Sequence, residues 1–375
     1  MSEGRKLLTD AKKVVVKVGS ALLSDPHAGL DREKISAYCQ QIMQLKERHI
    51  EVILVSSGAV AAGCQKLGWT TRPVAVHQLQ AAAAVGQMGL TQAYESELSK
   101  HGHATAMIML THDDLADRER YLNARATLSQ LLKLGVVPVI NENDTVATEE
   151  IRFGDNDTLA ALVTNLLEAD LLIILTDVEG LMDADPRHNP AARRIPESRA
   201  QASDLDALAS AGSGAMGRGG MQTKLRAARL AARSGANTVI ASGLEPNILM
   251  QILDRADVGT LLTADLTPMT ARKRWLAGQL RAKGDLVLDS GAARAITQQG
   301  VSLLAIGVVA VNGSFLRGEM VRMVDQQGNV LAQGLTNYSS DEVLRLAGRH
   351  SDQFAERIDY VGEPELVHRD NLVVI

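Results

Sequence analysis

Short β-branched runs alternate along the chain with longer stretches whose apolar residues recur every three or four positions. Val14–Val18, Val52–Ser56, Thr105–Leu110, Val136–Asn141, Leu171–Thr176 and Thr238–Ser242 are apolar almost throughout, as strands buried in a parallel sheet are. Between them Asp31–Arg48, Arg118–Leu134, Asp157–Leu167 and Gly220–Ser234 read as amphipathic helices. This alternation predicts an α/β fold, an open, mainly parallel sheet sandwiched by helices. Ala81–Ala84 reads as a patch of close helix packing. Ligands of such sheets collect at the carboxyl ends of the strands, so the loops after each run are where chemistry is expected.

The texture changes near Arg281. Asp285–Leu288, Val301–Ile306, Val308–Val311, Met320–Val324 and Val330–Gly334 are short extended runs broken by Gly and by Asn312-Gly313, which predicts a small antiparallel β module. Pro268–Gln279 reads as a linker helix. The expected division is a first domain over 10–265, a linker over 266–280, a β-rich domain over 281–360 and a C-terminal tail over 361–375.

The length of 375 residues fits two domains at about 150 residues each. With only 3% aromatic residues, the core must be built from Ala, Val, Ile, Leu and Met. A formal net charge of -5 argues against a chain devoted to nucleic acid. Cys39 and Cys64 form no C-x-x-C pair and are too few for a zinc site, so they read as buried thiols in a reducing compartment, consistent with the cytoplasm. Met1–Lys13 lacks the apolar core of a secretory signal, so export is not expected. Val301–Val311, among the longest nearly apolar stretches, falls short of a bilayer span of about 18 residues.

Candidate chemistry lies in the loops that follow the β-branched runs. Lys17 closes the first run beside Gly19-Ser20, where exposed N–H groups and an ammonium suit an anion; a surface lysine at a strand end explains it equally simply. Ser56-Ser57-Gly58-Ala59 opens a small-residue helix, either an anion-binding corner or ordinary cap chemistry. Asn141-Glu142-Asn143-Asp144 and Phe153-Gly154-Asp155-Asn156-Asp157 hold more carboxamides and carboxylates than turns require. Those acids could receive a substrate ammonium or orient Mg²⁺. Thr176-Asp177 at a strand mouth could contact a nucleotide or simply enter a loop with two proline turns. Gly212–Lys224 is dense in glycine and ends in a lysine at a helix start, where an anion would offset the helix dipole. It is not a Walker A loop, because Lys224 follows Thr223. Two lysines, glycine-rich anion corners and clustered carboxylates, with no His or Cys required, suit phosphoryl transfer.

The series Lys17-Val-Gly-Ser, Ser56-Ser-Gly-Ala, Asn141-Glu-Asn-Asp144, Phe153-Gly-Asp-Asn-Asp157, Thr176-Asp-Val-Glu-Gly-Leu181 and Gly217-Arg-Gly-Gly-Met-Gln-Thr-Lys224 resembles the glutamate 5-kinase family of the amino acid kinase superfamily. The likeness runs from about Lys12 to Gly259, and the segment from about Lys283 to Arg357 resembles the PUA domain of many bacterial members. Arg218 departs from the family pattern, which has Thr there.

The resemblance implies ATP contacts from Lys17, Thr176, Asp177, Arg218, Gly219, Gly220, Met221, Gln222, Thr223 and Lys224, and glutamate contacts from Ser57, Asp144 and Asn156. Lys17 and Lys224 would be the catalytic lysines, with Asp157 organising them. It also implies phosphorylation of the L-glutamate side-chain carboxylate by ATP, the first step toward proline. Mg²⁺ would arrive with the nucleotide, with no protein ligand assigned to it. Proline is the expected feedback inhibitor, a homo-oligomer the expected assembly, and no membrane partner is implied. An RNA-binding or RNA-modifying role through the PUA-like segment is the alternative, disfavoured by seven Lys+Arg against six Asp+Glu over Arg281–His350. A nicotinamide oxidoreductase is disfavoured too, for no G-x-G-x-x-G follows the first strand.

Overall fold

The computed structural model describes residues 3–25, 29–146, 156–184, 188–189, 191–206, 208, 220–265, 282–360 and 362–375. They fall into two compact units, one from Met1–Ala116 with Asn123–Pro268 and the other from Asp117–Leu122 with Met269–Ile375. The proposed linker, 266–280, lies outside the described residues.

The first unit is built on strands β1 (Lys13–Val18), β2 (Glu51–Ser56), β3 (Thr105–Leu110), β4 (Val137–Glu142), β5 (Leu171–Thr176), β6 (Glu197–Arg199), β7 (Asn237–Ser242) and β8 (Thr260–Thr263). They form one sheet in the order β3-β4-β2-β1-β5-β7-β8-β6. Every pair is parallel except β7–β8, where Leu261 faces Val239. The apolar runs thus form the expected mainly parallel sheet, each within one residue of its expected start and end. The short strands β8 and β6 at the far end of the sheet were not foreseen, being too short to show a period.

Helices α1 (Arg32–Glu47), α2 (Ala59–Lys66), α3 (Val76–Ser99), α5 (Asn156–Leu167), α6 (Met221–Ala232) and α7 (Ile248–Leu253) lie in this unit, and α4 (Arg118–Lys133) joins it from Asn123 onward. Asp31 caps α1 by accepting the Lys34 N–H at 3.0 Å. Along α1, Ile35, Cys39 and Ile42 share a core with Val14, Val16 and Val18 of β1 and Ile248 and Ile252 of α7. Side chains alternate between the faces of a strand, so Lys17 is turned to the opposite face, the one that meets α5 and α6. One alternation therefore places an ammonium where the first residues of two helices converge.

Register aligns the strand ends: Val18 pairs with both Ser56 and Leu175, and Thr176 with Ser242. Chain order reverses direction across β1, which lies between β2 and β5, so the sheet opens a crevice at its carboxyl edge. Gly19 N donates to Leu175 O at 3.2 Å and Ser57 N to Val18 O at 3.1 Å, tying the loops across it.

The polyalanine patch lies inside α3, a 24-residue helix. A Cβ on Gly63 of α2 would run into the Ala82 carbonyl, and one on Gly86 of α3 into the Ala59 carbonyl. The two helices cross backbone to backbone, as the small residues suggested. Among the described residues no helix is long and apolar enough to cross a membrane.

The second unit has a five-stranded sheet of β9 (Gly284–Leu288), β10 (Val308–Gly313), β11 (Met320–Val324), β12 (Val330–Leu335) and β13 (Leu372–Val374), ordered β10-β9-β11-β12-β13. It is antiparallel apart from β9–β11, which run parallel. Asn312-Gly313 does not turn a hairpin: it ends β10, which pairs back with β9 rather than onward with β11. Val301–Ile306 supplies only the two-residue strand Leu303–Leu304 before a short 3₁₀ turn. The segment expected as a tail is also corrected. Its Leu366 and Val367 are buried in this unit's core and Leu372–Val374 completes the sheet edge, so apolar residues hold it in place. Tyr338 and Phe354 meet edge to face at 5.7 Å in the same core.

Candidate active site

At the mouth of the crevice, Asp157 in the first turn of α5 receives two ammonium groups. Lys17 Nζ lies 2.6 Å from its Oδ1 and Lys224 Nζ 3.1 Å from its Oδ2. Thr223 Oγ1 donates to the same Oδ2 at 2.9 Å. Lys17, Asp157 and Lys224 are 6%, 1% and 4% exposed, so each charge has left water and depends on the others. Burial opposes ionisation of Asp157, but Lys17, Lys224 and the Thr223 hydroxyl outweigh it and hold the carboxyl at about 2. For Lys224, burial comes first and lowers its pKa despite the attraction of Asp157. The trio holds one more positive than negative charge in a largely desolvated place, an arrangement suited to an anion.

Local structure explains why these side chains meet. Lys224 stands in the first turn of α6, where the helix dipole disfavours a cation. Asp157 stands in the first turn of α5, where the dipole favours an anion. Pairing the two relieves Lys224 without consuming the N–H groups at either helix start. Gly220 caps α6 and Gly58, at φ 113°, caps α2, in both cases with no side-chain hydrogen bond. Glycine at both caps keeps side chains away from these helix starts, where backbone N–H groups favour an anionic ligand.

Beside the charged cluster runs a chain of amides. Asn156 Nδ2 donates to Ser57 Oγ and to Asn141 Oδ1, both at 2.9 Å, and lies 3.3 Å from the Ser56 carbonyl. Asn141 Nδ2 donates in turn to Gln87 Oε1 at 2.7 Å. Asn156 is 8% exposed, and among the described residues its Oδ1 is buried without a hydrogen-bond partner. A buried unsatisfied acceptor beside a serine hydroxyl suits a donor brought by a ligand, such as an ammonium.

The sequence candidates therefore separate into groups. Lys17, Asp157, Thr223 and Lys224 form one cluster, and Ser57 and Asn156 form another joined to it through the chain step from Asn156 to Asp157. Gly220, Met221 and Gln222 open α6 beside the charged cluster. Thr176 is buried at the end of β5 and donates to the exposed Asp177 at 3.1 Å, and Asp177 in turn attracts the Lys224 ammonium. Asp144 lies in the turn after β4, where Asn143 N donates to Leu110 O at 2.9 Å and Val146 N to Asn143 O at 3.1 Å. Arg218 and Gly219 lie outside the described residues, as do Phe153, Gly154 and Asp155.

Two residues escaped the sequence reading. Gln87 sits on α3 among alanines and glycines, and Tyr94, two turns further along, meets Ser56 Oγ through its hydroxyl at 3.0 Å. Burial pushes the Tyr94 phenol well above its usual range, so it acts as a neutral hydrogen-bonding group. The available signal was a polar residue on the apolar stripe of a helix rich in small residues.

Residues 12–242 match the model of the amino acid kinase family, and residues 284–358 that of the PUA domain. A glutamate 5-kinase of Chromohalobacter salexigens is 58% identical over 374 residues, covering 100% of this chain and 99% of that protein. A glutamate 5-kinase of Pseudomonas syringae pv. syringae is 57% identical over 371 residues, covering 99% of this chain and 100% of its own. The glutamate 5-kinase of Pseudomonas aeruginosa strain UCBPP-PA14 is 58% identical over 371 residues, with the same coverage.

Proposed function

The chain belongs to the glutamate 5-kinase family, within the amino acid kinases, and on that premise we propose how its crevice phosphorylates L-glutamate with ATP. A side-chain carboxylate oxygen of glutamate attacks the γ-phosphorus, the bond from that phosphorus to the β,γ-bridging oxygen breaks, and glutamyl 5-phosphate and ADP result. A carboxyl group with a pKa of about 4.3 is already ionised near neutral pH, so no general base is required. Asp157, held at about 2 between two lysines, is a poor base in any case. The remaining difficulty is an anion approaching an anion, and the buried trio Lys17–Asp157–Lys224 is the observation that carries the reading. Lys17 and Lys224 offset charge on the transferring phosphoryl group, and Asp157 holds both ammoniums in position.

The nucleotide is assigned to Lys17, Thr176, Asp177 and the start of α6 through Lys224. Glutamate is assigned to Ser57, Asp144 and Asn156, with its α-ammonium at the unpartnered Asn156 Oδ1 and near the Asp144 carboxylate. Mg²⁺ is assigned to the ATP phosphates, entering with its waters retained and with no protein ligand given to it. When bound there, Mg²⁺ neutralises phosphate charge. Every residue in this assignment belongs to the first unit. Proline shares an α-carboxylate and a cationic nitrogen with glutamate and would compete for the same corner. A homo-oligomer and a cytoplasmic location complete the proposal, the latter in keeping with two free, buried thiols.

The test is hydroxylamine trapping of the acyl phosphate formed from glutamate and MgATP. Glutamate is expected to be a far better acceptor than aspartate or N-acetylglutamate. A preference for N-acetylglutamate would remove the role given to the ammonium.

A further inference from the structure

We propose that Gln87, on α3 and outside the residues assigned above to substrate or nucleotide, is a positioning residue that fixes which end of the Asn156 amide faces glutamate. The inference rests on the glutamate corner proposed above and deepens it.

The argument starts from what each group can donate. A thioether sulfur can accept a hydrogen bond and has nothing to give. Gln87 Nε2 lies 3.3 Å from the sulfur of Met107 on β3, so the NH₂ end of the Gln87 amide is turned to Met107 and the oxygen end to Asn141. Gln87 Oε1 then requires a donor, and Asn141 Nδ2 supplies it at 2.7 Å. That orientation turns Asn141 Oδ1 toward Asn156, which meets it with Nδ2 at 2.9 Å. The Ser56 carbonyl, which can only accept, lies 3.3 Å from the same Nδ2 and agrees with the direction. What is left over is Asn156 Oδ1, an acceptor that is buried and unpartnered among the described residues.

Reversal at any step brings two NH₂ groups or two oxygens together in a buried setting, where an unmatched polar group is costly. The relay therefore transmits polarity from a sulfur at one end to the substrate corner at the other. Its outcome is an acceptor suited to an α-ammonium and unsuited to an anionic or carbonyl group at that place. Gln87 touches no reacting atom, and its effect falls on glutamate binding.

The experiment compares Gln87→Met, Gln87→Glu and Asn156→Ala in the full chain, with cooperative thermal unfolding as the check on folding. Met nearly matches Gln in shape and removes both amide groups; Glu keeps an oxygen for Asn141 to donate to. Gln87→Met is expected to raise the KM for glutamate about tenfold, within the range for losing a hydrogen bond to a charged partner, with the KM for ATP within about twofold of the parent. Gln87→Glu is expected to stay closer to the parent in glutamate KM than Gln87→Met. Parent-like glutamate KM in Gln87→Met would overturn the proposal. So would equal damage in the Met and Glu variants, or parallel rises in both KM values, since those report packing rather than polarity. If Gln87→Glu does not fold, Met107→Leu takes its place: a rise in glutamate KM alone supports the relay, and no change refutes it. Asn156→Ala separates the two readings. If it leaves the glutamate KM unchanged, the assigned corner is wrong; if it raises that KM while Gln87→Met does not, only the relay is wrong.

Discussion

The crevice of the first unit handles buried polar groups differently from the core of the second, although away from the crevice the first unit too directs them to its backbone, as where Arg5 donates to the Ala256 and Val258 carbonyls. In the second, polar side chains inside the core serve the backbone. Thr336 Oγ1 donates to the Tyr338 carbonyl at 2.8 Å and accepts from the Tyr338 N–H at 3.2 Å, Asn337 donates to the Glu365 carbonyl at 3.0 Å, and Ser339 with Glu342 forms a reciprocal cap. In the first, Lys17, Asp157 and Lys224 serve one another, and Gln87, Asn141 and Asn156 form a line ending in an open acceptor. Buried polarity that closes on the main chain stabilises a fold. Buried polarity that closes on other side chains, with charge or an acceptor left over, prepares a place for a ligand.

The strongest way to break this contrast is to remove the surplus charge. Lys17→Ala and Lys224→Ala are each expected to lower kcat about 10²–10³-fold in hydroxamate assays, the scale of losing one preorganised electrostatic contact. Near-normal turnover in a folded Lys224→Ala protein would return that lysine to a structural role.

Asp157→Ala strands two buried ammoniums and is expected to lose about 3–5 kcal/mol of stability in denaturant unfolding. Its pH signature sharpens the comparison. The folded-state pKa of about 2 lies below the ordinary 3.8, so the stabilisation is fully present above 3.8 and lost as pH falls through about 2. Asp157→Ala should lack that acid-side loss, and an identical decline in both proteins would show that the carboxylate is not the group responsible.

The smallest effect belongs to the second unit. Thr336→Val leaves the Tyr338 N–H unpaired, and a loss of about 1–3 kcal/mol is expected with kcat and both KM values unchanged. A change in glutamate KM would mean that this unit's buried polarity reaches the site after all.

Much of this was legible in the sequence because strand and helix signals are local. β-Branched runs marked six strands of the parallel sheet, and the loops after them named Lys17, Ser57, Asn156, Asp157 and Lys224. What escaped depends on contacts distant in the chain. Gln87 acquires its role from Asn141, 54 positions away, and from a sulfur on β3. The segment after 361 read as a tail because its strands are three residues long, and only pairing with β12 and Leu303 reveals them. Asn312-Gly313 suggested a hairpin because turn chemistry gives no information on which strand lies next door.

The crossing of α2 and α3 at Gly63 and Gly86 limits how this scaffold can diversify. Gly86 precedes Gln87, and the Ala59 carbonyl it abuts follows directly on Gly58, so the contact acts as a spacer gauge for the amide line and the α2 start together. Even one methyl group there would spread both. New specificity at this corner is therefore accessible through the identity of donors and acceptors, whereas variation in side-chain bulk is closed off by two hydrogen atoms.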